Sequence, residues 1–363
     1  MRLFLKCRRV PWPATLLLAG FLAGCGGGDA SSAPPLQTLP GGGNTGGNGS
    51  VNPLTNPDVV LFASGRTPDG SERFYAMNPD GSGVTPVAAL SAFNAALGQG
   101  LTLNQSGTFA SMAFDSGTNS SIERRLVRLN DGATVLTFNT RYTSPQTVFA
   151  ANSKGTKAAV AGSPTATDPY AIYLMNPDGT QKTQVAALPA GTSVSEITFA
   201  PDDQTLYFIG FPDTSTAFAG NGTLYKLAPG ATAPVSIANV NTQISSLHTS
   251  RDGTKLAFMS ILTASDFKST AFTPYTLNAD STGLAKGVTT TLNEFVPFWD
   301  AVIASRTDGF HVLYVSSSDG ARELFDMRPD GTQLKQITFN AAGNSIPGSR
   351  QAKVGFIRTV GGR

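Results

Sequence analysis

Cysteine and histidine are almost missing from this chain, with two of each in 363 residues. Cys7 and Cys25 both fall at the amino terminus, so the remainder has no thiol for a disulfide, a cysteine metal site or a cysteine nucleophile. His248 and His311 are the only imidazoles, one in SSLHTSRDG and one in GFHVLYV, and both read as ordinary strand histidines. Neither a G-x-S-x-G elbow nor an H-E-x-x-H pair occurs. Charge is scarce too: 14% of residues are charged, 26 Lys and Arg against 24 Asp and Glu, which gives no electrostatic case for nucleic acid. No stretch holds a 3.6-residue apolar period for three turns, which excludes a helical domain. What the chain does have is 39 Gly, 23 Pro and 40% hydrophobic residues, the balance of an all-β protein outside the cytoplasm.

The first residues, MRLFLKCRRVPWPATLLLAGFLAGC, have the parts of an export signal: Arg2, Lys6, Arg8 and Arg9, then the apolar Ala14 to Leu22, then small residues. The apolar run is too short for a permanent span. Its end, Leu22-Ala23-Gly24-Cys25, resembles the lipobox of bacterial lipoproteins. That resemblance implies a signal peptide over 1–24, cleavage before Cys25, and lipidation of its thiol; Gly26, in place of an aspartate, implies sorting to the outer membrane. Two acyl chains hold a protein stably where one does not. Cleavage leaves 22 cationic against 24 anionic side chains, a near-neutral mature protein. Residues 25–57, rich in Gly, Ser, Pro and Asn, cannot bury enough apolar surface to fold and read as a disordered tether.

From Asp58 onward, short apolar runs alternate with turns, and one sentence recurs: FYAMNPDG, IYLMNPDG and LFDMRPDG. In the first, Phe74 and Ala76 point to one face and Tyr75 and Met77 to the other, so such a strand needs packing on both sides. Pro79, Pro177 and Pro329 fix φ, Asp80, Asp178 and Asp330 bond the local backbone, and Gly81, Gly179 and Gly331 accept positive φ: each is a hairpin rather than a calcium loop. With degenerate copies, the turn falls at Gly81, Gly132, Gly179, Gly230, Ser281 and Gly331, in steps of 51, 47, 51, 51 and 50. A second turn interleaves at Gly107, Gly155, Asp203, Gly253 and Gly309, in steps of 48, 48, 50 and 56. Four strands per unit and six units over 58–363 predict a six-bladed β-propeller of four-stranded antiparallel blades. The first unit begins on a B-type strand, so a piece between about Asn344 and Val360 is expected to complete it and close the ring. Arg124, Arg125 and Arg128 read as charges guarding an exposed strand edge.

The alternation of APDD and SRDG turns with IYLMNPDG and FYAMNPDG resembles the WD-like repeats of TolB-type β-propellers, over about residues 58 to 360. The resemblance implies a propeller of the bacterial envelope. The expected function is a non-enzymatic scaffold binding a protein or an envelope polymer, anchored in the outer membrane through its lipid and facing the periplasm or the cell surface. A carbohydrate-active propeller, lyase or hydrolase, with its site in the axial channel is the alternative from another class, and a purely structural envelope protein a third. No cofactor or metal is expected. Glu196, His248, Arg251, Glu294, Trp299 and Asp300 come from A strands or their flanking loops and form the candidate ligand-facing set.

Overall fold

Short strands with two apolar faces are stable only when sheets stack on both sides of them, and that is how the chain solves the problem. A computed structural model describes residues 58–64, 73–93, 98–104, 108–115, 121–141, 147–165, 167–212, 221–263, 268–293, 301–316, 323–337 and 355–359. The expected signal, Cys25 and tether lie outside these residues, as do Glu294, Trp299 and Asp300.

Six antiparallel sheets follow one another along the chain. Blade 1 contains β1 (Val60–Ser64), β2 (Arg73–Met77) and β3 (Thr85–Pro86). Blade 2 is β4 (Gly98–Leu103), β5 (Phe109–Asp115), β6 (Ser121–Arg128) and β7 (Thr134–Arg141). Blade 3 is β8 (Val148–Ala151), β9 (Ala158–Gly162), β10 (Ala171–Met175) and β11 (Thr183–Ala187). Blade 4 is β12 (Thr192–Phe199), β13 (Leu206–Pro212), β14 (Thr223–Leu227) and β15 (Val235–Asn239). Blade 5 is β16 (Ile244–Thr249), β17 (Lys255–Thr263), β18 (Thr270–Asn278), β19 (Ala285–Lys286) and β20 (Thr290–Leu292). Blade 6 is β21 (Ala301–Arg306), β22 (Gly309–Ser316), β23 (Glu323–Met327) and β24 (Lys335–Gln336). The last strand, β25 (Gly355–Thr359), pairs with β1 as the innermost strand of blade 1, so the two ends of the propeller share one sheet.

The innermost strands of neighbouring blades meet around the axis: β25 with β4, β8 with β12, β12 with β16, β16 with β21, and β21 with β25. Blade 2 meets blade 3 where β5 and β6 lie against β8. Each junction holds its own apolar wedge. Phe74 and Ala76 pack toward blade 2 with Met112 and Val127, while Met77, with Tyr75 beside it, packs toward blade 6 with Leu313 and Leu324. Opposite faces of one strand thus fill two different cores. An aromatic pair crosses the second and third strands at one register in four blades: Phe62–Tyr75, Phe208–Tyr225, Phe258–Tyr275 and Tyr314–Phe325, with ring centroids 5.0 to 5.8 Å apart. Such pairs add about 0.5–1.5 kcal/mol each beyond their burial.

The repeated hairpin is a type I turn followed by one residue with positive φ. In blade 1, Gly81 N–H donates to the Asn78 carbonyl and Asn78 N–H to the Ser82 carbonyl, each at 2.9 Å. The Asp80 carboxylate accepts from Ser82 N–H and Oγ at 2.9 and 2.6 Å, and those two bonds hold its pKa below the usual value. Asp178, Asp280 and Asp330 do the same with Thr180, Thr282 and Thr332. These carboxylates serve their own turns. Gly81 is constrained twice over, by φ of 88° and by the Ile337 carbonyl of blade 6, which lies 2.1 Å from where a Cβ would stand.

Blade 5 departs from the four-stranded expectation. Its outer strand is split into β19 and β20, both pairing with β18. Between them Gly287 N–H donates to the Pro274 carbonyl and Val288 N–H to the Pro329 carbonyl, each at 2.8 Å. The hairpin of blade 6 docks at the split, and a Cβ on Gly287 would meet the Pro329 carbonyl at 2.3 Å.

Candidate functional site

Of the residues expected to face a ligand, Glu196 and Arg251 make bonds between blades. The pairing of β12 shifts between Val194 and Glu196, and that of β16 shifts between Ser245 and His248. Ser246, within the second shift, has φ of 56°, and its N–H and that of Leu247 both donate to the Glu196 carboxylate at 2.8 Å. Ser246 Oγ accepts the Ile303 N–H at 2.7 Å, and Tyr170 Oη accepts the Val194 N–H at 2.9 Å. Blades 3 to 6 are therefore stitched together at the bulges of β12 and β16. Glu196 joins blade 4 to blade 5. His248 is half-buried in β16 opposite Ala257. Arg251 donates to Asp58, which also accepts the Thr307 N–H at 2.9 Å, so one carboxylate ties blades 5 and 6 to blade 1.

The arginines of β6 do not guard an edge. β6 is an inner strand of blade 2, with Arg124 paired to Ala113 on one side and Phe138 on the other. Burial pulls the Arg124 guanidinium pKa down to about 10, against the opposing pull of Tyr170 and Glu196. Arg125 pairs with Glu123 at 2.5 Å and lies over the Phe93 ring, and Arg128 pairs with Asp131 at 2.6 Å. Strand order, which is a tertiary property, overrides the reading from local charge.

The densest set of ionisable groups lies where blade 6 meets blade 1. In blade 5 the pairing of the first two strands ends at Thr249 opposite Leu256, whereas in blade 6 it continues to Arg306 opposite Gly309, leaving Thr307 and Asp308 as the whole turn. That extension carries Arg306 into the protein, 4% exposed, beside His311 at 4% and Asp326 at 1%. Arg306 Nη1 donates to Asp326 Oδ2 at 2.6 Å, and His311 Nδ1 is 2.7 Å from Asp326 Oδ1. His311 Nε2 is 3.1 Å from Asp308 Oδ1, and Arg328 donates to the Asp308 carbonyl and Oδ2, both at 2.6 Å. Lys335 Nζ lies 3.6 Å from Asp326 Oδ2. Burial pushes the Asp326 carboxyl up, but His311 and Arg306 outweigh it and hold the pKa below the usual range.

Two buried atoms of this set, Arg306 Nε and Nη2, have no hydrogen-bond partner in the protein. An unmet buried donor costs about 1–3 kcal/mol, more when charged. A cavity of about 360 Å³ opens here, lined by Asp58, Arg306, Asp308, His311, Asp326 and Lys335, among others. Among the described residues no three His, Cys, Asp or Glu side chains are grouped to hold a metal ion. The sequence reading missed this site because Arg306 and Asp326 look like ordinary strand-end charges; the 56-residue step to Gly309 was the one visible irregularity.

No family model matches the chain, and no curated protein matches it. Solved structures do. TolB from Acinetobacter baumannii is 14% identical over 83% of this chain and 65% of its own, with a TM-score of 0.52. By fold, this is a TolB-like six-bladed β-propeller. The chain spans just under two thirds of that TolB's length. A nidogen/laminin complex supplies another match, 12% identical over 84% of this chain and all of its own, with a TM-score of 0.52. Oligogalacturonate lyase from Vibrio parahaemolyticus matches at 12% identity over 70% and 71% of the two chains, with a TM-score of 0.40.

Proposed function

We propose that this protein is a lipoprotein of the bacterial outer membrane, held through Cys25 and a tether over 25–57, whose propeller is a non-enzymatic scaffold for a protein or envelope-polymer partner. The observation that carries the scaffold reading is where apolar surface is left uncovered. Of the six strongly exposed large apolar side chains among the described residues, five belong to blades 5, 6 and 1: Leu262 in β17, and Val84, Leu284, Val288 and Leu334 near the outer hairpins. Val84, Leu284 and Leu334 each stand three residues after the positive-φ residue of the repeated hairpin. The hairpins of blades 6 and 1 lean on the outer edge of the preceding blade, Gly331 against Val288 and Gly81 against Ile337, so Val84, Val288 and Leu334 follow one rim. A grouped apolar rim on a rigid closed ring suits a partner, whereas scattered single residues do not.

Three measurements test this reading. Cys25→Ser is expected to move the protein from the membrane fraction to the soluble one, and an unchanged location rejects the anchor. In pull-downs from solubilised envelopes, a partner held by the wild type is expected to be lost from the Val84→Lys/Leu334→Lys variant. Polysaccharide cleavage by the purified protein, abolished by His248→Ala, would replace the scaffold by the axial enzyme.

A further inference from the structure

We infer that the cavity between blades 6 and 1 is a binding site for a small hydroxylated monocarboxylate, a hydroxy acid or sugar acid, received by the Nε and Nη2 edge of Arg306. This inference stands apart from the anchoring and scaffold reading and would survive its failure. Arg306 commits Nη1 to Asp326, and the two donors left over are both buried and lack a protein acceptor. Nε–H and one Nη2–H of a guanidinium point the same way, and that edge matches the two oxygens of one carboxylate.

Charge selects the valence. The lining itself holds Arg306 and Lys335 against Asp58, Asp308 and Asp326, and Arg251 and Arg328, which pair with Asp58 and Asp308 from outside the lining, bring the paired set to four cations against three carboxylates. Asp80, on the adjoining hairpin, also feels Lys335 and brings the balance to four against four, so the surroundings do not favour a dianion such as phosphate. The remaining lining, with the carboxylates of Asp58 and Asp308 and the side chains of Thr307 and Gln333, suits hydroxyls, which both donate and accept. About 360 Å³ leaves room for several atoms beyond the carboxylate. The Arg306 donors are shielded from solvent, and Lys335, 40% exposed and only loosely paired at 3.6 Å, is the group that swings aside to admit the ligand.

The test is calorimetric titration of the full-length protein in detergent with gluconate, glucose, acetate and inorganic phosphate. Saturable gluconate binding is expected, with acetate at least tenfold weaker and glucose and phosphate without saturable binding. Arg306→Lys, which keeps the charge and loses the fork, should weaken gluconate tenfold or more while circular dichroism shows an intact sheet. Lys335→Gln, at the exposed mouth, should change affinity about threefold, and it carries the test if Arg306→Lys does not fold. Absence of saturable gluconate binding, equal binding by folded Arg306→Lys, no effect of Lys335→Gln, glucose binding as well as gluconate, or tighter binding of phosphate would each overturn the assignment.

Discussion

The junction of blades 3 and 4 and the junction of blades 6 and 1 occupy equivalent places in the ring and are built from opposite materials. Between blades 3 and 4, Ile172, Phe208 and Val194 fill the wedge, and one carboxylate closes it: Asp203 accepts Ser153 N–H at 2.6 Å and Oγ at 2.8 Å. That carboxylate holds the turn of blade 3 to the turn of blade 4. Between blades 6 and 1, Val60, Met77 and Leu313 form a comparable wedge, yet the strands beside it carry Arg306, His311 and Asp326, and the turn between β21 and β22 carries Asp308. Closing a ring does not require that much buried charge, since a buried ion pair is no better for stability than an apolar pair of similar volume. The surplus marks a place where the repeat has been altered for something other than closure.

The comparison breaks most sharply at the carboxylates. Asp326→Ala leaves the buried Arg306 uncompensated and should cost about 3–5 kcal/mol, whereas Asp203→Ala, half-exposed and accepting from neutral donors, should cost about 1–2 kcal/mol in denaturant unfolding. Equal costs would show that the charges of blade 6 are held no more tightly than an ordinary turn. Next in size are the hairpin glycines. Gly81→Ala must accept positive φ and displace the Ile337 backbone, and should lower stability by more than about 2 kcal/mol; Gly230→Ala, with φ of 75° and nothing within 4 Å, should lose only about 1 kcal/mol.

The smallest effect is in pH. Asp326 has a folded pKa below the usual carboxylate value, so its contribution to stability is complete above about pH 5 and is lost as pH falls through the folded pKa. Asp326→Asn should therefore flatten the fall in stability below pH 4, while an unchanged acid slope would mean that other carboxylates dominate it.

Much of the fold was legible because its signals act within a few residues. Pro79, Asp80 and Gly81 specify their hairpin by φ, by a carboxylate bond to Ser82 two residues away and by tolerance of positive φ, so six copies of the pattern gave six blades. The alternation in FYAM likewise foretold two buried faces. The candidate site was less legible. Glu196 and Arg251 had the composition of ligand-facing groups, but their partners are Ser246 and Asp58, 50 and 193 residues away in sequence. His311 stands where Lys255 stands in blade 5, since Val312 opposite Met327 repeats Leu256 opposite Leu277. Nothing local distinguishes those two positions.

By itself, then, the sequence determined the class of the protein, the number of blades, the form of the repeated turn and the sharing of blade 1 between the two ends of the propeller, because hairpin geometry and strand periodicity are encoded residue by residue. Tertiary structure alone decided which charges bind the ring together and which surround a cavity. A carboxylate's role depends on what the neighbouring blade places against it, and that neighbour is brought in only when the ring closes.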